Sequence, residues 1–263
     1  MLTVYDILKI NLIKSENEKS TSLLDDWADQ VVASGNHEFD RGLLGLGWLI
    51  NFLIHEQIIE GDADEILEDM DDTIYKLTIK EVLNSEVNVH NMLEFVTYYQ
   101  QRLIYTSSAH FYRRFTHHEC MKLLVDKLNA YLIKADLSNQ CLSEITDIMQ
   151  KYSFLLKTCL NEKLLEAVFY KVFEELITYY ENDLNEIDQS NVLKLGIAAK
   201  QYGNPFWEKC LSDILARHEG FHTNDTFLKR LYNDFPHIDS DYLKLELGEK
   251  ELFYLITNVV RKC

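Results

Sequence analysis

Nine histidines and five cysteines give this chain its opportunities for metal chemistry, and two groupings have ligand spacing. His218-Glu219-Gly220-Phe221-His222 carries the letters H-E-x-x-H, in which two histidines one helical turn apart hold zinc and the glutamate serves as general base. Gly220 interferes: it reads as a helix stop, and Thr223-Asn224 as a turn or a new cap, so His218 and His222 straddle a break. His117 and Cys120 stand three residues apart, one face of a helix, and supply two ligands of a site whose third is not visible. With His110, Arg113 and Arg114 nearby, this stretch reads as a surface turn of mixed charge. The acidic run from Glu60 to Asp72 lacks the glycine and ligand spacing of an EF-hand and reads as a solvated helix face, its carboxylates complementing the helix dipole. No resident metal or other cofactor is expected, and His117, Cys120, His218 and His222 are the candidate ligands.

The elements that must position these residues are helices. Apolar residues recur at helical spacing in Val4 to Leu12, Leu23 to Val32 with Ser22 and Asp25 as a cap pair, Leu43 to Gln57, and Ile66 to Leu77 behind an Asp62 cap with Glu65 three residues on. Further helices are expected over Met92–Tyr105, Cys120–Ile133, Leu142–Leu156, Leu164–Tyr180, Val192–Tyr202, Phe206–Arg217, Phe227–Phe235 and Glu249–Val260. Asn204-Pro205 is a start signal, and Glu219-Gly220 a stop. Only 9 Gly and 2 Pro in 263 residues leave too little turn chemistry for an all-β fold. With 47 % hydrophobic residues and no linker of biased composition, residues 1–263 read as one all-α domain of paired helices.

Composition narrows the partners. A net charge of −17 argues against nucleic acid. The longest apolar run, Gly42 to Ile54, is too short to span a bilayer, and the N-terminal residues lack the apolar core of a signal peptide. An odd number of widely spaced cysteines fits a reducing cytoplasm rather than a disulfide framework. The 15 tyrosines with neighbouring Phe residues read mainly as core, although an aromatic-lined groove suits a peptide.

Three of the nine glycines fall within Arg41-Gly42-Leu43-Leu44-Gly45-Leu46-Gly47-Trp48 at the start of an apolar helix. Each costs roughly 1 kcal/mol of helix stability relative to alanine, so close approach of another backbone is expected to compensate. Phe39 to Lys76 resembles the glycine-rich helix and following acidic helix of the lanthionine synthetase C-like proteins, especially short bacterial members with a G-x-x-G-x-G-W core. Gly42, Gly45, Gly47 and Trp48 carry the resemblance, followed by Gly61-Asp62 and the start of the next helix at Asp64-Glu65-Ile66-Leu67. The resemblance covers about forty residues closely; elsewhere only the helical rhythm agrees.

It implies an α/α toroid, short of a helix pair given the chain's length. Full members hold zinc with two cysteines, in Trp-Cys-x-Gly and Cys-His-Gly contexts, and a histidine, and the metal activates a peptide thiolate for addition to a dehydrated serine or threonine. Neither context occurs here, and Arg41-Gly42 stands where a His-Gly opens the family's glycine motif. The resemblance therefore implies a non-catalytic relative that binds a peptide or a modifying enzyme during bacterial peptide maturation. The alternatives are an α/α-barrel enzyme using cavity carboxylates, and a zinc-dependent relative with rearranged ligands. The oligomeric state is not legible in the sequence.

Overall fold

The computed structural model describes residues 2–13, 18–105, 110–135, 137, 142–160, 163–182, 189–217, 226–235 and 247–259. Among these residues every regular element is helical, as the apolar periodicity and the scarcity of Gly and Pro require. The helices are α1 (Val4–Ile13), α2 (Glu18–Ser34), α3 (Leu43–His55), α4 (Ala63–Ile66), α5 (Glu68–Leu83), α6 (Val89–Tyr105), α7 (Phe111–Lys134), α8 (Leu142–Thr158), α9 (Lys163–Asn182), α10 (Gln189–Tyr202), α11 (Pro205–Arg217), α12 (Thr226–Asp234) and α13 (Glu249–Asn258). The chain divides into two compact units, Met1–Lys127 with Asp241–Thr257, and Leu128–Ser240 with Asn258–Cys263.

The first unit is built around α3, which packs on α6 and α5 and also meets α1, α2 and α4. Its glycines let it do so. A Cβ on Gly45 would lie 1.8 Å from the carbonyl oxygen of Phe39, and one on Gly42 2.5 Å from that of Glu38. The close approach expected of these glycines is therefore real, but the backbone that approaches is the loop before the helix rather than a second helix. Gly47 has a different neighbour: its Cβ would meet Met70 of α5 and Tyr98 of α6, each at 2.8 Å. Trp48 is fully buried, stacked on Phe52 at 5.3 Å and edge-on to Phe253 of α13 at 5.0 Å. Lys127 donates to the carbonyls of Val82, at 2.7 Å, and Asn84, closing the C-terminal end of α5 with a cation where the helix dipole favours one.

The second unit is built around α10, which packs on α8, α11 and α12, while α9 packs on α8 and α11. Asn204 caps α11, its side chain accepting from the N–H groups of Phe206 (3.1 Å) and Trp207 (3.3 Å), with Pro205 at the first helical position as expected. Trp207 is fully buried and stacks on Phe173 of α9 at 4.3 Å.

Three local expectations are corrected. Ser22 and Asp25 lie inside α2, which begins at Glu18. The helix expected behind Asp62 is two helices: α4 stops after one turn, Leu67 sits between it and α5 at φ −97° and ψ 10°, and Leu67 is itself fully buried. The mixed-charge stretch around His117 is the first three turns of α7, with the His117 side chain inside. Arg113 and His117 of this stretch face the buried Asp71, so its density of charge does not signal a turn.

Candidate functional site

The chemistry of the first unit converges on Arg102, which α6 presents fully buried. Its Nη2 donates to Asp64 Oδ1 at 2.6 Å and to Asp71 Oδ2 at 2.8 Å, and its Nη1 to Asn51 Oδ1 at 3.0 Å. Asn51 is the polar residue in the buried stretch of α3, and its Nδ2 donates to the Gln101 carbonyl at 2.9 Å, which fixes its orientation. The break at Leu67 has a use here. On one straight helix Asp64 and Asp71 would stand about 10 Å apart along the axis; with the break, both reach one guanidinium nitrogen. The expected solvated acidic face is therefore corrected: Glu60, Asp62, Glu65, Glu68, Asp69 and Asp72 are exposed, but Asp64 and Asp71 are buried.

Among the described residues Asp71 is the most heavily partnered carboxylate. Besides Arg102 it accepts from Arg113 Nη1 at 3.1 Å and from the Tyr98 hydroxyl, and His117 Nε2 lies 3.5 Å from its Oδ2. Burial alone would raise its pKa, but His117 and Arg102 outweigh burial and hold the carboxyl well below the usual range. Burial, followed by the Asp71 charge, pushes Tyr98 well above an ordinary phenol, so its hydroxyl keeps its proton and donates it as a hydrogen bond. Arg113 continues outward to Glu68 at 3.1 Å. Asp71 is thus an ionised anchor for two arginines. A glycosidase-type carboxylate pair needs one acid held protonated, which is the opposite environment.

A cleft of about 580 Å³ opens beside this network. Asp71, Asp72 and Tyr75 of α5, Tyr99 of α6, His110, and Phe111, Tyr112, Arg113, Thr116 and His117 of α7 line it. Its aromatic rim is unusually exposed: Tyr75 is 43 %, Phe111 68 % and Tyr112 85 % accessible, and Phe111 and Tyr112 meet edge to face at 5.7 Å. Phe115, one turn on, is also exposed. The floor carries both charges and the rim carries rings, a combination that suits a segment with its own mixed side chains.

Of the residues singled out by spacing, His117 and Cys120 are both buried near Tyr99: the His117 ring lies 5.7 Å from the Tyr99 ring, and the Tyr99 hydroxyl contacts the Cys120 thiol, which burial pushes up. His117 faces the Asp71 carboxylate. His218 and His222 lie outside the described residues, as do Glu219, Gly220, Cys141 and Cys263. Gly42, Gly45, Gly47 and Trp48 are buried in the frame behind the cleft, whereas Arg41 and Gly61 are exposed, Gly61 at φ 143°. Asp62 is the cap expected of it, its Oδ1 accepting from the Asp64 N–H at 2.8 Å.

Arg102 and Asn51 were not singled out by spacing. The available signal was a lone amide inside an apolar helix and an arginine inside the aromatic segment Phe95 to Tyr105, because a buried polar group demands a partner. No family model, no curated protein and no solved structure matches the chain.

Proposed function

We propose that this chain is a lanthionine synthetase C-like protein of the α/α-toroid type, without the family's zinc site, acting as a non-catalytic, cytoplasmic peptide- or enzyme-binding component of a bacterial peptide-maturation system. The observation that carries the binding role is the cleft, a mixed-charge floor anchored by Arg102 and Asp71 under an exposed rim of Tyr75, Phe111 and Tyr112. Rings held at an open rim give large contact area at small entropic cost, and they dominate the energetics of peptide recognition. The family assignment rests on the resemblance of Phe39 to Lys76, whose glycines make the tight seat of α3. The loss of cyclase chemistry rests on the missing cysteine contexts, without which no thiolate is activated. A net charge of −17 favours a basic or mixed-charge segment, with association weakened by salt.

Selection from a displayed library of short random peptides tests the binding role. Enrichment of sequences combining Lys or Arg with aromatic residues, dependent on Phe111 and Tyr112, is the expected result. A selection that enriches nothing, or peptides that bind a Phe111→Ala/Tyr112→Ala variant equally well, would overturn it.

A further inference from the structure

At one edge of the cleft, three potential ligands meet that the peptide-binding reading does not use. Asp62 and Asp64 come from the start of α4, and His110 precedes α7. Their donor atoms all lie within 4.8 Å of one another, with His110 Nε2 3.4 Å from Asp62 Oδ2 and 3.9 Å from Asp64 Oδ2. A tetrahedral ion with bonds of about 2.1 Å places its ligands about 3.4 Å apart. Closing around an ion draws in to that spacing ligand atoms that now lie up to 4.8 Å apart.

A second observation is independent of the clustering. The Asp64 side chain is only 4 % exposed, yet among the described residues its Oδ2 has no hydrogen-bond partner, while its Oδ1 is held by Arg102 at 2.6 Å. A buried carboxylate oxygen without a partner is costly, and a cation removes that cost. Asp64 Oδ2 is aimed toward the imidazole, and Asp62 is held in place by its own bond to the Asp64 N–H. Both carboxylates are therefore oriented before any ion arrives.

We infer that Asp62, Asp64 and His110 bind one divalent first-row metal ion, of the zinc or manganese type, at the edge of the cleft. Two carboxylate oxygens and one imidazole nitrogen are a borderline-hard set suited to these ions, and three protein ligands leave a coordination position for water or a ligand donor. These ligands differ from the sequence candidates His117, Cys120, His218 and His222. The rival arrangement is His110 held between the two carboxylates with no metal.

The test is calorimetric titration of the chelator-stripped protein with zinc chloride at neutral pH, paired with thermal unfolding with and without zinc. One saturable site is expected, together with a zinc-dependent rise in Tm. His110→Ala and Asp62→Ala each lower affinity at least about 10-fold and abolish the rise, with far-UV circular dichroism unchanged. Cys120→Ser and His218→Ala bind as the wild type does. Absence of saturable binding, wild-type affinity in His110→Ala, or loss of binding in Cys120→Ser or His218→Ala would each overturn the assignment.

Discussion

Replacing Arg102 by Met keeps much of the side-chain volume and removes the charge on which the cleft is built. Arg102 has no exposed surface, and its two ion pairs, at 2.6 and 2.8 Å, hold carboxylates that are themselves at most 5 % exposed. Removing one partner of a buried pair costs about 3–5 kcal/mol, because a charge is left without compensation. The loss is unequal. Asp71 keeps Arg113, His117 and Tyr98, whereas among the described residues Asp64 keeps only the His110 contact at 3.9 Å. Most of the cost should therefore sit on Asp64, and Asp64→Asn added to Arg102→Met should restore a large part of it. Against a typical total stability of about 5–15 kcal/mol, the single variant loses at least about a fifth.

Urea unfolding followed by circular dichroism in chelated buffer measures this, with unchanged m-values as the check that the same transition is compared. The sign with pH also follows. A carboxyl held below its unfolded value contributes stability that is full above pH 4 or so and is lost as pH falls through the folded value. Arg102→Met removes part of that contribution, so the gap between variant and wild type should narrow toward acid. A single variant within about 1 kcal/mol of wild type, or a double variant as unstable as the two singles added together, would refute the reasoning.

Other substitutions probe separate parts of the account. Gly45→Ala should cost more than Gly47→Ala in urea unfolding, because the new methyl of the first meets a backbone carbonyl at 1.8 Å, whereas that of the second meets side-chain atoms at 2.8 Å; the reverse order would contradict the packing described. Asn204→Ala should destabilise the second unit by about 1 kcal/mol by removing the α11 cap, and no measurable loss would dismiss the cap's role. Burial pushes the Lys151 ammonium down to about 7 from an ordinary 10.5, so the folded state binds fewer protons than the unfolded chain between those values. Stability should then rise with pH across that window, by up to about 1.4 kcal/mol per pH unit, and the rise should be absent in Lys151→Met. Equal pH slopes for the two proteins would show that Lys151 is not the source.

Much of the fold was legible because helical periodicity reports a buried stripe whatever the stripe packs against. Asn204-Pro205 and Asp62 acted as local signals and were found where the sequence placed them. The site was harder, since its logic is long-range. Asp64 and Asp71 look like their exposed neighbours in the acidic run, and only the burial of Arg102 some thirty to forty residues later separates them. The break at Leu67 is hidden for the same reason: the apolar spacing continues through it, and what accompanies it, both carboxylates on one guanidinium, is a long-range contact. The mixed charge of His110 to Cys120 reads as a surface turn, whereas Arg113 and His117 face Asp71 from a helix and the His117 ring lies against Tyr99.

The binding role is tested most directly by fluorescence anisotropy of a labelled library-selected peptide titrated with wild-type protein and with the Phe111→Ala/Tyr112→Ala variant at low and high salt. If the two rings anchor the peptide, each contributing more than about 1 kcal/mol, the double variant binds at least about 30-fold more weakly, and salt weakens what binding remains. Equal affinities for the two proteins would contradict the claim that this cleft is where the partner binds.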